Sequence, residues 1–444
     1  MEIGLKKQFL LLLAQGTIEC GIPEIESVAE ALNISLQIKR VNAFSPVCIL
    51  NSVDENVVTS ILSRTMLCKS AYELWGHGTS YESLKSSIKE YPEKWKAPYF
   101  SENRTFSIRV KGLGKKVSTS TQKKIIDSLE DVLLLEGKVM LQNPIDEYFI
   151  IEDYISEGPS KSSSPSGIYF TRFLCDGQRH LMEKYSLKER KLIGNTSMDP
   201  MLSFLMANLG LAMPGRLTCD PFVGSGSLLV SAAHFGSHII GGDISYNILH
   251  ARGKSSRKGA GWRKRDETLR NCLSEYGLEK YFVDVLLSDA ANHAWKTKKE
   301  LFDSIITDPP YGIREACSRV GSKKPGEVDI PELQDGQVHF PEQMAYHLDD
   351  VFLDLLAFAA RLLVCGGRLV YWMPVYRADY TSDIIPQHPA LKLLYNCEQV
   401  LNRHSSRRLI VMVKVSSNWD EEASIDNNIF SGHNSFRKKY FNQS

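Results

Sequence analysis

No Cys-x-x-Cys pair occurs in this 444-residue chain; its nine cysteines stand singly, at Cys20, Cys48, Cys68, Cys175, Cys219, Cys272, Cys317, Cys365 and Cys397. Structural zinc sites and disulfide frameworks draw on closely spaced cysteines, so neither a metal site nor a disulfide set is expected, and single thiols suit a reducing compartment. Long apolar runs are missing too: none approaches the ~18 residues that a membrane-spanning helix needs. The opening GLKKQFLLLLAQG imitates a secretory signal, with Lys6 and Lys7 ahead of an apolar run. That run is short and no small-residue cleavage site follows, so it reads as a first strand and the protein as cytosolic. Excess charge is absent as well, 53 basic against 52 acidic residues leaving +1. A histone-like partner is thereby excluded; binding of nucleic acid through a local basic face is not.

What is present is strand–helix alternation of two kinds, on either side of one linker. EGPSKSSSPSG (157–167) is rich in Ser, Pro and Gly, and predicts a boundary between a first region over 1–156 and a second domain over 168–415. Upstream, SPVCILNSV, TFSIRVKGL, GKVMLQNP and EYFIIEDY read as strands, with ENVVTSILSRT and STQKKIIDSLEDVLLL as helices. This irregular order predicts an α+β module, a small sheet with helices on one face. Downstream the alternation is regular. RLTCD, HIIGGD, VDVLLSD, LFDSIITD and GGRLVYWMPV read as strands separated by helical stretches, which predicts a parallel, doubly wound α/β sheet. LLYNCEQVL and RRLIVMVKV, joined by NRHSSR, predict an antiparallel hairpin that closes it. Residues 416–444 are polar and aperiodic, and read as a tail.

The strands of the second domain end in acids: Asp220, Asp243, Asp289 and Asp308, in order. After the first comes CDPFVGSGSLLV (219–230), a Gly-rich turn that lets backbone approach a ligand at the switch point of the sheet. A dinucleotide fingerprint needs a third glycine where Leu229 stands, so the pyrophosphate reading weakens. Any one of these acids can be a helix cap. As a series after a glycine loop they suit a ligand with an amine, a ribose and an adenine but no phosphate. Asp243 can chelate the ribose diol and Asp289 can accept from the adenine amine. S-adenosylmethionine has these parts.

The fourth acid opens ITDPPYGI (306–313). Two successive prolines remove two backbone donors and fix two φ angles, so Asp308-Pro309-Pro310-Tyr311 can neither extend a strand nor start a helix. It is a rigid shelf carrying one carboxylate and one ring. An exocyclic base amine is a poor nucleophile because its lone pair is delocalised. A carboxylate and a carbonyl accepting from its two N–H groups favour the sp³ geometry that attack requires. Asp308 and the Pro309 carbonyl supply both, and Tyr311 can stack on a base that is single-stranded or flipped out.

DPFVGSG and DPPYG resemble the glycine and amino-methyltransferase motifs of class I S-adenosylmethionine-dependent methyltransferases, a likeness spanning about 190–415. ELWGHG, DGQRHLMEKYSLKERKLIGNTSMD, ITDPPYGIRE and SRRLIVMVKV are similar to the eukaryotic tRNA (guanine-N2)-methyltransferases that act at position ten. Ser225 departs from the commoner Thr but keeps the hydroxyl. The resemblance implies a Rossmann-like domain with a mostly parallel seven-stranded sheet, preceded by a ferredoxin-like and THUMP region that binds RNA. It implies cofactor contacts at Thr196, Ser197, Asp220, Phe222, Gly224 and Gly226. Asp243, Ile244, Asp289, Ala290 and Asp308 complete that set. It also implies a small zinc-binding activator protein as partner.

HARGKSSRKGAGWRKRDETLR (250–270) is strongly basic. A solvated face is one reading; a grip on tRNA phosphates through Arg257, Lys258, Arg263, Lys264 and Arg265 is the other. SRVGSKKPGE (318–327) reads as a basic loop able to close over the base. Related shelves serve adenine-N6, cytosine-N4 and glutamine-N5 enzymes, so another amino-methyltransferase stays open, as does a non-catalytic tRNA-binding subunit.

Overall fold

The computed structural model describes residues 6–52, 54–155, 163–257, 259–297, 299–313, 315, 317–321, 341–419 and 436. The chain divides into two compact units, Met1–Arg179 and His180–Ser444. In the first, strands β1 (Lys7–Leu13), β2 (Ile38–Arg40), β3 (Val47–Ser52), β4 (Cys68–Gly78), β5 (Thr105–Leu113), β6 (Lys138–Val139), β7 (Asp146–Asp153) and β8 (Gly167–Asp176) form one sheet. Their order is β2-β3-β1-β4-β8-β7-β5-β6. Neighbours are antiparallel except that β5 runs parallel to β6 and β7.

The two-residue period of a strand splits β1 between two faces. Phe9, Leu11 and Leu13 join a core with residues of helices Gly21–Ala31 and Glu55–Leu62, while Leu10 and Leu12 pack with Val47, Tyr72, Leu74 and Tyr169. Glu24 is buried on the first of these helices and accepts from the backbone N–H of Met66 and Leu67, each at 2.8 Å, pinning the helix to the approach to β4. Fully buried Glu73 on β4 receives Trp75 Nε1, Tyr91 Oη and Arg172 Nε at 3.1, 2.8 and 2.8 Å, with Lys7 Nζ 2.6 Å away. A carboxylate is tolerated in a core only with such a supply of charge and donors. Burial works against the charged form, but Arg172, Lys7 and the ring donors hold the Glu73 carboxyl below the usual range.

That cluster corrects the expected domain boundary. Residues 167–176, expected at the junction of the linker with the second domain, are β8, paired with β4 and β7 and carrying Arg172 into the Glu73 cluster. The first unit therefore ends at Arg179 instead of 156. The Ser/Pro/Gly stretch lies between β7 and β8, with 156–162 outside the described residues. Turn-rich composition marks a loop, but it does not say whether that loop joins two domains or two strands of one sheet. The strand expected in GKVMLQNP is reduced to Lys138–Val139, and the long helix before it to Thr119–Asp127.

The second unit holds β9 (Leu217–Asp220), β10 (His238–Asp243), β11 (Phe282–Leu287), β12 (Phe302–Thr307), β13 (Ser318–Val320), β14 (Gln343–Ala345), β15 (Leu363–Tyr376), β16 (Leu391–Val400) and β17 (Ser405–Lys414). Seven of these form a sheet in the order β11-β10-β9-β12-β15-β17-β16, and β13 pairs with β14 apart from it. The strands from β11 to β15 are parallel, and β17 is antiparallel to both β15 and β16. The sheet is mostly parallel and closed by a hairpin, as expected. Helix Leu348–Leu362 sets Phe352, Leu355, Phe358 and Ala359 into a core with Phe302, Ile305, Leu369 and Tyr371. The chain runs outward from β9 to β10 and β11, then returns to β12 on the other side of β9. Such a reversal is where a doubly wound sheet offers a ligand crevice at the carboxyl ends of its strands. Asp220 ends β9 and Asp308 follows the end of β12, the two strands that flank the reversal.

Candidate active site

Four acids at strand ends were expected; the structure separates them by their partners. Asp220 is 1% exposed, and its Oδ1 accepts from Phe222 N at 2.9 Å and Thr307 Oγ1 at 2.7 Å, stapling β9 to β12. Burial pushes its carboxyl up to about 7, against the pull of those two hydrogen bonds. Asp243 accepts from Gly224 N and Ser245 N, each at 2.7 Å. Burial raises its carboxyl too, with the two backbone donors opposing. Asp289 accepts from Ala291 N at 3.0 Å and from Val320 N of β13 at 2.8 Å. These three acids have the backbone bonds of caps; each oxygen of Asp243 and Asp289 keeps a second lone pair for a ligand, whereas Asp220 Oδ1 already accepts two bonds.

Asp308 is different. Among the described residues its recorded partners are side chains alone: the Tyr311 hydroxyl donates to Oδ1, and Arg407 Nη1 lies 3.9 Å from Oδ2. Its side chain is 21% exposed. Burial pushes the carboxyl up, opposed first by the Arg407 charge and then by the Tyr311 hydroxyl. Tyr311 thus turns its hydroxyl onto the carboxylate.

The glycine loop has the conformation its sequence suggests. Gly224 and Gly226 have φ of +52° and +73°, a region that a Cβ makes costly. A Cβ on Gly226 would meet Leu269 Cδ1 at 2.5 Å, whereas one on Gly224 would meet nothing within 4 Å. Gly226 is therefore needed for packing against helix Leu269–Glu275, and Gly224 presents backbone to open space. Ser197 Oγ lies 2.6 Å from Ser225 Oγ and accepts from Gly194 N at 2.8 Å, which brings the Thr196–Ser197 segment against the loop. Phe222 and Ala290 line one hollow with Pro221, Tyr346 and Asp354. Ile244 follows Asp243 directly and is half-buried.

Two residues escaped the sequence reading. Arg190, 4% exposed, donates to the Ser225 carbonyl and to Ser227 Oγ at 2.9 Å, so it props the loop from beneath. Arg407 reaches the shelf from β17. Its signal was the pair of arginines opening the apolar strand SRRLIVMVKV, because strand alternation sends neighbours to opposite faces.

The basic stretch is partly corrected. Arg257 donates to the carbonyls of Lys188 and Arg190 at 2.6 Å each, and Arg263 to that of Arg252 at 2.9 Å. These two hold the protein's own backbone, and a free phosphate grip is not their arrangement. Lys264 and Arg265 are exposed, as is Trp262; Lys258 lies outside the described residues. Of the expected closing loop, Ser318–Val320 pairs with Gln343–Ala345, and 322–327 lie outside the described residues. No group of side chains suited to a metal ion occurs among the described residues, and no helix there is long and apolar enough to cross a membrane.

Comparison with known proteins supplies the family. Residues 7–179 match the Tmrp11 THUMP N-terminal domain, and residues 188–323 the RMKL-like methyltransferase domain. A chicken (Gallus gallus) protein named tRNA (guanine(10)-N(2))-methyltransferase is 46% identical over 98% of this chain and 95% of its own length. The chain belongs to the tRNA (guanine(10)-N(2))-methyltransferase family. The human relative is 45% identical over 98% of this chain and 95% of its own length, and the Saccharomyces cerevisiae relative 32% over 98% and 99%. The first of the two matched domains ends at Arg179, where the first compact unit also ends. In this methyltransferase family member the glycine loop and the DPPY shelf fall in the second unit, with the THUMP fold in the first.

Proposed function

We propose that the chain transfers a methyl group from S-adenosylmethionine to the exocyclic N2 of the guanosine at position ten of tRNA, giving N2-methylguanosine. The observation that carries the proposal is a carboxylate with no backbone cap among the described residues, Asp308, directly after Thr307, whose hydroxyl donates to Asp220 at the head of a glycine loop with open space at Gly224. S-adenosylmethionine fits that donor set, since acids without a phosphate cradle suit its amine, diol and adenine. Asp243 would hold the ribose, with Ile244 beside it. Asp289, Ala290 and Phe222 would face the adenine. Asp220, Gly224, Gly226, Thr196 and Ser197 would border the amino-acid end. When bound, S-adenosylmethionine supplies a methyl group already activated on a sulfonium. The chain's own part is positioning. Asp308 and the Pro309 carbonyl accept from the two N–H groups of the base amine, turning its lone pair outward. Pro310 keeps the shelf rigid, and Tyr311 exchanges its hydroxyl contact for a stack on the base.

A tRNA carrying inosine at position ten, which lacks the exocyclic amine, tests the chemistry. Labelled methyl is expected on the guanosine tRNA and absent from the inosine tRNA. Equal labelling of both would contradict the assignment. Asp243→Ala should weaken cofactor binding in calorimetry by at least ~1 kcal/mol, a usual figure for a charged hydrogen bond, because both the diol contact and the anchor on Gly224 disappear. Wild-type affinity would remove Asp243 from the site.

The small zinc-binding activator is part of the same proposal, as is a cytoplasmic place of action. The sheet of the second unit ends at β11 and β16, where Val283 and Leu287 are 47% and 53% exposed and Leu393 and Val400 are 41% and 53% exposed. Edge strands with exposed aliphatic residues are aggregation-prone until something covers them. The chain expressed alone is expected to be poorly soluble and to be rescued by co-expression with the activator. A soluble, fully active lone chain would refute that dependence.

A further inference from the structure

Arg407 is an unusually confined arginine. Its side chain is 13% exposed, and three neighbours from three segments fix it. Gln399 on β16 accepts from Nε at 2.7 Å, the ring of fully buried Trp372 on β15 lies 4.1 Å from the guanidinium, and Met198 Sδ accepts from Nη2 at 3.8 Å. A guanidinium held on these sides keeps little rotamer freedom, so its charge has a fixed direction. That direction is toward the shelf: Nη1 stands 3.9 Å from Asp308 Oδ2, beside the Tyr311 hydroxyl. Arg408, next in sequence, turns elsewhere and donates to Asn396 at 2.7 Å, with Glu398 3.8 Å away.

The distance matters. An arginine in a bidentate pair would occupy the lone pairs that a substrate amine needs. At 3.9 Å Asp308 Oδ2 feels the charge without accepting a hydrogen bond from it. We infer that Arg407 is a positioning residue for methyl transfer, fixing Asp308 Oδ2 as an aimed and ionised acceptor for the guanine amine. The inference rests on the reading of Asp308 proposed above. As N2 bonds to the methyl carbon, the methyl–sulfur bond breaks with its electron pair left on sulfur. The amine then gives up one proton, to Asp308 or to water. Only the carboxylate form can take up that proton and attract the positive charge growing on the amine, and the charged and titratable groups facing it are Arg407 from β17, Tyr311 from its own turn and Asp220 from β9. Burial pushes the Asp308 carboxyl up and Arg407 pulls it down. Without Arg407 the carboxyl rises further, less of it is ionised at a given pH, and the acid limb of the rate profile moves to higher pH.

Single-turnover methylation of tRNA by the full-length protein across a pH series tests this, with cofactor affinity and melting temperature measured beside it. Arg407→Met is expected to lose about 10²-fold near pH 6.5 and about tenfold or less near pH 9, with cofactor affinity unchanged. Arg407→Lys keeps the charge and should hold the acid limb close to wild type, and Arg408→Gln should not move it. A profile for Arg407→Met that overlays wild type would overturn the inference. So would a loss equal at every pH and confined to KM for tRNA, the mark of a phosphate contact. Arg407→Lys as impaired as Arg407→Met, with a lowered melting temperature, would show a packing role instead. Failure of the underlying reading looks different: Asp308→Asn would then match wild type at every pH, and both would fall.

Discussion

Asp308→Ala is expected to lower the single-turnover rate of methylation by about 10²–10³, the usual cost of removing one preorganised transition-state contact, while leaving cofactor affinity and melting temperature near wild type. The reason is in the hydrogen bonds. Asp220, Asp243 and Asp289 each accept from backbone N–H groups and so hold loops in place. Asp308 has only the Tyr311 hydroxyl and the Arg407 charge among the described residues, while Ile305 and Ile306 at 0% and 1% exposure anchor β12 in the core. Its removal should therefore cost chemistry and little stability. Tyr311→Ala should instead remove about 1–3 kcal/mol of stacking, felt in base placement more than in transfer. A cap would behave in the opposite way. The melting temperature of Asp308→Ala would drop by several degrees, and activity would fall only in proportion to folded protein. A thermal melt beside single-turnover kinetics separates the two.

A fragment beginning at His180 is expected to keep its cofactor affinity and to lose tRNA affinity by about 10²-fold or more, as when one of two linked binding modules is removed. The starting residue decides whether that experiment is interpretable. A fragment cut within the Ser/Pro/Gly stretch, near Ser166, would carry β8 without β4 and β7, leaving Ile168, Tyr169 and Phe170 as an unpaired apolar strand. Such a strand invites aggregation. Cutting after Arg179 leaves β8 and the whole Glu73 cluster of Lys7, Glu55 and Arg172 on the other side. Equal tRNA affinity for the His180 fragment and the full chain, at one salt concentration, would show that the THUMP unit has another purpose.

The second unit was legible because β9, β10, β11 and β12 each end at or just before an acid: apolar β-branched runs set the sheet, and glycine, acid and proline set its loops. DPPY could be read as a rigid shelf from proline geometry alone. The first unit was less legible, since one composition of Ser, Pro and Gly suits a domain linker and a strand connection equally well. β8 could be assigned only through its pairing with β7 and with β4, the latter about a hundred residues away in the chain, which no local pattern encodes. Arg407 was hidden in the same way, because the contact with Asp308 depends on β17 lying between β15 and β16. Arg257 and Arg263 show the converse: a charge run suggests a partner, but backbone carbonyls can take up an arginine first.

The most direct measurement is mass spectrometry of nucleosides from tRNA of cells with and without this protein, with the modified position mapped by fragment analysis. N2-methylguanosine at position ten should be present with the protein, absent without it, and absent again when Asp308→Ala replaces the wild type. Unchanged N2-methylguanosine at that position in cells lacking the protein would contradict the account.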